Sequence, residues 1–251
     1  MINQNKKPPA LGGLFFIIYL SIIYYFKLDE PNLNNYLFFG FLIILLGMYD
    51  DIFDMNPFLK FFFQFLIITP FCLIEYNTII NHNILFLMLI ITNYIIFINS
   101  SNIIDGIDGL LGIITISSLS LILFNLENFS TEVFLLLIFV IIITWMNLNP
   151  SRMYFGDSGA FFIGFSVLFF CFSFDSSKPI ISIYKTLFYF SVPIIDFIYA
   201  IVRRSMNGKN IFIKDNLHIH HKLMIRNKSH IKTISLLLII NFVMALISKF
   251  I

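Results

Sequence analysis

A chain of 251 residues that is 59% apolar, with a mean hydropathy of +0.90 and only 12% charged residues, is not a soluble domain, which carries about 25%. Its longest polar stretch, roughly 203–232, is too short to fold by itself, so the composition reads as a single polytopic membrane domain over residues 1–251. The formal net charge of +2 says little except through its distribution, and no nucleic-acid partner is expected. Cys72 and Cys171 lie inside apolar runs without a partner at metal-like spacing, and both read as buried thiols.

Taken in order, apolar runs fall at about 11–26, 36–49, 59–75, 84–98, 110–124, 132–148, 159–174, 184–202 and 231–250. They predict an all-α bundle of about nine transmembrane helices, with several runs short of the ~20 residues that cross a bilayer core. The first run follows Lys6 and Lys7, but no small-residue cleavage site comes after it, so it reads as a retained helix. With the N-terminus cytoplasmic and the C-terminus outside, twelve of the sixteen Lys and Arg fall on the inner side; Lys27, Lys178, Lys185 and Lys249 fall on the outer side. The same orientation brings every chemistry-bearing segment to the cytoplasmic face, where the active site is expected.

Asp50, Asp51 and Asp54 close the second run. On a continuing helix they would reach a common side, where two carboxylates at ~4 Å repel by roughly 4 kcal/mol and ask for a cation. An ordinary solvated helix end is the plain alternative. The segment from Asn99 to Leu110 is the focus of the chain. Asn99, Asn102, Asp105 and Asp108 recur every third residue, each step ~60° short of a full helical turn, with no basic residue within the segment. Oxygen donors of this kind suit a hard cation such as Mg2+. Gly156-Asp157-Ser158-Gly159 opens the seventh run, where a helix N-terminus favours anions, although Asp and Ser are also common caps. His218, His220 and His221 stand in the most basic loop after Arg203 and Arg204. Their spacing does not place them on one helix face as a zinc site would require, and contact with phosphate fits better. Asp196 lies inside the eighth run, seven residues before Arg203, and reads either as a functional carboxylate or as that arginine's ion-pair partner.

Taken together, the DDxxD of Asp50 to Asp54, the NxxNxxDGxDGL of Asn99 to Leu110, the GDxG of Gly156 to Gly159 and the HxHH of His218 to His221 resemble the polyprenyl-phosphate N-acetylhexosamine-1-phosphate transferases, the WecA/MraY superfamily, and its WecA-like branch best. Pro8-Pro9-Ala10-Leu11-Gly12-Gly13 looks like that family's first cytoplasmic loop. The chain begins at this loop, without the helix that precedes it in the family, and has Ala160 where many relatives have Ser.

The resemblance implies transfer of a sugar-1-phosphate from a UDP-N-acetylhexosamine to undecaprenyl phosphate in a bacterial inner membrane. UMP is released, and a lipid-linked envelope glycan such as an O-antigen is begun. It implies Mg2+ or Mn2+ held by Asp157 and Asn102, and catalytic roles for Asp50, Asp51 and Asp157. Asn99, Asp105, Asp108, Arg203, Arg204, His218, His220 and His221 would bind substrate, and a homodimer is compatible with it. Direct displacement and a phospho-aspartate route both fit these residues; the direct one is preferred. A Mg2+-dependent intramembrane prenyltransferase or a non-enzymatic transporter are the competing readings.

Overall fold

The computed structural model describes residues 8–26, 33–77, 83–125, 130–148, 150–173, 179–211 and 217–248. Lys6, Lys7, Lys27, Lys178, Lys214 and Lys249, used above to orient the chain, lie outside these residues. Eleven helices are described: α1 (Gly12–Phe26), α2 (Leu33–Phe53), α3 (Pro57–Glu75), α4 (Ile84–Ile104), α5 (Leu110–Asn125), α6 (Thr131–Asn147), α7 (Gly156–Ser173), α8 (Pro179–Tyr189), α9 (Ser191–Met206), α10 (Ile219–Asn227) and α11 (His230–Ile247). The fold is all-helical, and among the described residues the only sheet-like pairing is a single parallel bridge between Ala10 and Tyr154. Among the described residues four helices, α2, α3, α4 and α11, are long and apolar enough to cross a membrane; α1, α5, α6 and the stretch Gly156–Phe172 of α7 are shorter apolar segments.

Local signals explain several boundaries. Asn56 accepts the Phe58 N–H at 2.9 Å with Pro57 in the first helical position, which starts α3. Asn83 accepts from both Leu85 and Phe86 to start α4, and Ser130 accepts from Val133 to start α6. Lys228 takes the left-handed conformation after α10 and turns the chain into α11.

The bundle is built around α7, which touches α1, α2, α4, α5 and α8. A helix apolar on all sides can face either lipid or protein, and this one faces protein. Residues from Ala160 to Phe172 are buried accordingly, with Phe162, Phe165 and Phe169 packed against Tyr36 of α2. Both cysteines are buried, as expected.

Close approach to α7 depends on glycines. A Cβ on Gly47 would sit 2.3 Å from Ser158 Cα, and one on Gly164 would sit 2.5 Å from the Phe97 carbonyl oxygen.

The eighth apolar run is not one helix. It breaks at Phe190 between α8 and α9, since Pro193 lacks the N–H that would continue the ladder into Tyr189. A break among buried residues leaves polar backbone to be satisfied by the protein. Ser118 Oγ and Asn241 Nδ2 donate to the Tyr189 carbonyl at 2.7 and 3.0 Å, and Asn241 Oδ1 accepts the Val192 N–H at 3.3 Å.

Gly47→Val should lower the detergent-solubilised protein's melting temperature by an amount equivalent to about 1–3 kcal/mol, because the α2–α7 backbones cannot separate without unpacking the aromatic core. Thermal unfolding followed by tryptophan fluorescence checks it, and an unchanged midpoint would contradict it.

Candidate active site

Four helix ends meet at one end of the bundle: the C-termini of α2 and α4 and the N-termini of α3 and α7. The ends differ from the continuous helical surfaces expected from the spacing. α2 stops at Phe53, and Asp54 has a positive φ of 46°, so the three aspartates of the first motif do not share a face. α4 stops at Ile104, so Asp105 is its C-cap and Asp108 lies in the turn beyond. Gly109, at φ +77°, completes that turn in the left-handed region where glycine is at ease.

Each carboxylate of the first motif has a separate task. Asp50 is buried, and its Oδ1 accepts the Met55 N–H at 2.7 Å, which fixes the α2–α3 turn. Its other oxygen pairs with Lys60, a residue only 7% exposed on α3. Lys60 Nζ also lies 3.4 Å from Asp157 Oδ2, so one ammonium bridges two motifs. Asp51 caps α7 from another helix: it accepts the N–H groups of Asp157 at 2.7 Å and Ser158 at 3.2 Å, and the Ser158 hydroxyl at 2.8 Å. A carboxylate on a helix N-terminus is favoured by the unpaired N–H groups and the dipole. Asp51, expected to be catalytic, thus spends its oxygens on placing Asp157.

Gly156 (φ +69°) makes this contact possible. A Cβ there would meet Asp51 Oδ2 at 2.8 Å and the Ala10 methyl at the same distance. Residues 9–11 run beside the loop before α7, with the Tyr154 N–H donating to the Pro9 carbonyl at 3.0 Å and the Leu11 N–H to the Tyr154 carbonyl at 3.2 Å. The proline-glycine lead-in is therefore part of the floor of the site.

Asp105 faces this cluster. Its carboxyl is held well above the usual carboxylate range, first by burial and then by the charges of Asp157, Asp108 and Asp51, against which the Gly156 amide pulls weakly. Its Oδ1 is buried without a hydrogen-bond partner. Asn102 is partly buried one turn earlier on α4. Asn99, a further turn back, donates to Gln64 Oε1 at 2.7 Å and to the Ile95 carbonyl at 2.8 Å, tying α4 to α3 beneath the acids.

The histidines join through Gly106. Without a side chain there, His220 and His221 lie over its backbone; a Cβ would be 3.0 and 3.1 Å from their Nε2 atoms. The spacing argument underrated them, because His218 is the N-cap of α10 and the other two sit in its first turn, so all three rings cluster, with centroids 4.2–6.3 Å apart.

Asp196 is the anchor of this group. It takes the Ile219 N–H at 2.7 Å, pairs with His220 Nδ1 and lies 3.5 Å from His218 Nδ1. That replaces the ion pair with Arg203 suggested by the sequence. Burial, and then the neighbouring imidazoles of His220 and His218, hold His221 below the usual histidine range. Arg203 stacks on the Tyr199 ring at 5.8 Å, and Arg204 is buried and donates to the Ile211 carbonyl at 2.7 Å, which holds the loop start.

Three residues beyond the expected set belong here. Lys60 was visible as a lone cation in an apolar run, but it was counted only as an orienting charge. Gln64 and Asn147 gave no signal; they are single polar residues in apolar helices, and Asn147 joins the Gly109 and Met153 loops by its amide. Among the described residues no three His, Cys, Asp or Glu side chains form a ready metal cage. The acids crowd together nonetheless, with one orphaned carboxylate oxygen, and that arrangement fits a divalent cation which keeps part of its water shell.

On the α2–α3 seam beside Met55 lies a groove of about 480 Å³. Leu46, Tyr49, Phe53, Leu59 and Phe63 line it together with the polar Asp54 and Asn56.

Fold and site together define a multi-pass membrane protein with an acid, lysine and histidine centre at one end of its helices. The chain belongs to glycosyl transferase family 4, whose sequence model matches residues 34–175 and so includes the first three motifs. Among curated proteins it is similar to a probable undecaprenyl-phosphate N-acetylglucosaminyl 1-phosphate transferase of Bacillus subtilis, at 26% identity over 97% of this chain and 73% of the relative. An undecaprenyl-phosphate alpha-N-acetylglucosaminyl 1-phosphate transferase of Thermotoga maritima is 27% identical over 87% of this chain and 69% of its own length. A phospho-N-acetylmuramoyl-pentapeptide-transferase of Dictyoglomus thermophilum is 28% identical, with 64% of this chain matched to 58% of the relative. These matches bear out the resemblance seen in the motifs.

Two outcomes follow from the charges. Lys60→Met leaves Asp50 buried without its counter-ion and should cost about 3 kcal/mol, recovered when Asp50→Asn is added; thermal unfolding of the single and double variants measures it. For Asp105 the folded state keeps a proton that the unfolded chain loses near 3.8. The stability linked to that proton is complete below this value and lost as pH rises through the raised folded value. In chelator-treated protein the melting temperature should therefore fall more steeply as pH rises above 3.8 for wild type than for Asp105→Asn. Parallel slopes would refute it.

Proposed function

We propose that this chain transfers an N-acetylhexosamine-1-phosphate from a UDP-sugar to undecaprenyl phosphate at the cytoplasmic face of a bacterial membrane, releasing UMP. The observation that carries the reading is the meeting of all four motifs around Lys60, Asp157 and Gly106, from helices far apart in sequence. The names of the relatives support the lipid acceptor and the sugar-1-phosphate. The Arg203 to Lys209 segment and α10 stand at the same end as the motifs, which supports a cytoplasmic site.

Phosphoryl transfer asks a protein mainly for positioning and charge neutralisation. In the direct route an oxygen of the lipid phosphate forms a bond to the phosphorus carrying the sugar, while the bond from that phosphorus to the UMP oxygen breaks. Lys60 receives the lipid phosphate, and Asp50 keeps the ammonium in place. Both Asp50 oxygens are engaged, by the Met55 N–H and by Lys60, which supports the direct route over a phospho-aspartate.

Asp105 and Asp108 hold the nucleotide sugar. His218, His220, His221 and Arg203 take its phosphates and sugar. Asp157 and Asn102 would hold Mg2+, which when bound neutralises charge developing on the diphosphate. The apolar groove on the α2–α3 seam, lined in part by Met55, whose N–H Asp50 accepts, would take the acceptor's isoprenoid chain.

The competing readings leave more unexplained. A prenyltransferase accounts for the acids but not for the histidines anchored by Asp196. A transporter would use intramembrane carboxylates, yet Asp196 is spent on His220 and Ile219, and Glu75 accepts from Asn35 at 3.0 Å.

Purified protein in detergent, given undecaprenyl phosphate, Mg2+ and UDP-N-acetylglucosamine, should release UMP. Chelator should abolish the release, and Asp157→Asn should lower it by about 100-fold or more. Release that persists without lipid or without divalent cation would overturn the proposal.

A further inference from the structure

Residues 150–155 lead into α7, where Asp157 stands, and Asn147 holds them. Asn147 is the last residue of α6 and is 1% exposed. Its Oδ1 accepts the Gly109 N–H at 2.7 Å, and its Nδ2 donates to the Met153 carbonyl at 2.9 Å. Gly109 directly follows Asp108, and Met153 lies four residues before Asp157. One buried amide therefore joins the loop of Asp105 and Asp108 to the loop of Asp157. The neighbouring contacts tighten the joint: the Arg152 N–H donates to the Met146 carbonyl at 2.9 Å, and the Leu148 side chain fills the space where a Cβ on Gly109 would stand, 2.7 Å away.

We infer that Asn147 is a positioning residue that sets the spacing between Asp157 and the Asp105–Asp108 loop. The chemistry of the joint demands a primary amide. One side chain must accept from an N–H and donate to a carbonyl at the same time. An ionised carboxylate accepts but cannot donate, and would set its charge against the Met153 oxygen. Resting on the transferase reading, the inference has a kinetic consequence. The donor held on one loop and the group acting on its diphosphate from the other must stay aligned, and a misplacement near 1 Å costs about 100-fold in rate.

The test is Asn147→Asp, which keeps the shape and the bond to Gly109, with Asn147→Ala beside it, in full-length protein in detergent. UMP release should fall by about 100-fold in kcat while KM for undecaprenyl phosphate stays within about threefold. In an Asp157→Asn background, adding Asn147→Asp should cost less than about threefold, because there is no longer a carboxylate to place. A wild-type kcat in Asn147→Asp, or a full multiplicative loss in the double variant, overturns the inference.

Hydrogen exchange decides the joint independently of activity. Amides of residues 105–110 and 151–157 should exchange about tenfold faster together in Asn147→Ala, whereas Asn147→Asp, which keeps the Gly109 bond, should loosen 151–157. One-loop loosening in Asn147→Ala, or unchanged exchange at 151–157 in Asn147→Asp, overturns it. If wild-type protein releases no UMP, the transferase reading fails, and the exchange result alone decides whether Asn147 couples the loops. Should Asn147→Ala not fold, Asn147→Asp carries the kinetic comparisons and the exchange at 151–157.

Discussion

The ammonium of Lys60, enclosed between Asp50 and Asp157, is the contact on which the geometry of the site depends. Carboxylates from three helix ends face one another here, and two such charges at ~4 Å repel by roughly 4 kcal/mol where the effective dielectric is near 20. Without an enclosed cation the ends of α2 and α7 would move apart or their carboxyls would take up protons. Asp51 adds the second attachment, since its cap on α7 draws the same two helices together through backbone N–H groups. The glycines at 47 and 156 then matter for electrostatic reasons as well as packing. Only backbones this close let a carboxylate on one helix cap another.

Helix ends are the natural material for such a site in a membrane protein. Within the apolar layer a helix satisfies its own backbone, and unpaired N–H and C=O groups occur at its ends or at breaks. The bundle uses the two kinds of place differently. The break between α8 and α9 is closed by Ser118 and Asn241, with its polar atoms occupied, so it serves architecture. The ends of α2, α4 and α7 instead keep side-chain oxygens facing one another, and Asp105 has one with no partner.

Much of this was legible in the sequence, for identifiable reasons. Apolar run length gave nearly every helix, because the membrane requires it. The motifs stood out because Asp, Asn, Gly and His are rare in such runs. Periodicity misled where a helix ended: the three-residue spacing from Asn99 to Asp108 implied one surface, but the helix stops at Ile104 and the last two aspartates reach the site from a turn. Partners across the bundle were the least legible. Lys60 looked like an orienting charge, Asn147 like one polar residue in an apolar helix, and Asp196 like the partner of Arg203. In each case a partner lies on a different element of the fold, and spacing along one helix carries no information about it.

Asp196 shows how the last motif is brought to the others. The histidines belong to a short polar helix, α10, whose burial alone would hold it weakly. Asp196, below them on α9, takes the first N–H of that helix and a ring nitrogen of His220. The carboxylate thus sets the height of α10 over α4 and turns the far edge of the His220 ring towards Gly106. An arginine partner for Asp196 would have left α10 without this anchor. Pairing it with histidine instead couples α9 to the Gly106 turn, so the imidazoles of α10 are held beside the acids that follow α4.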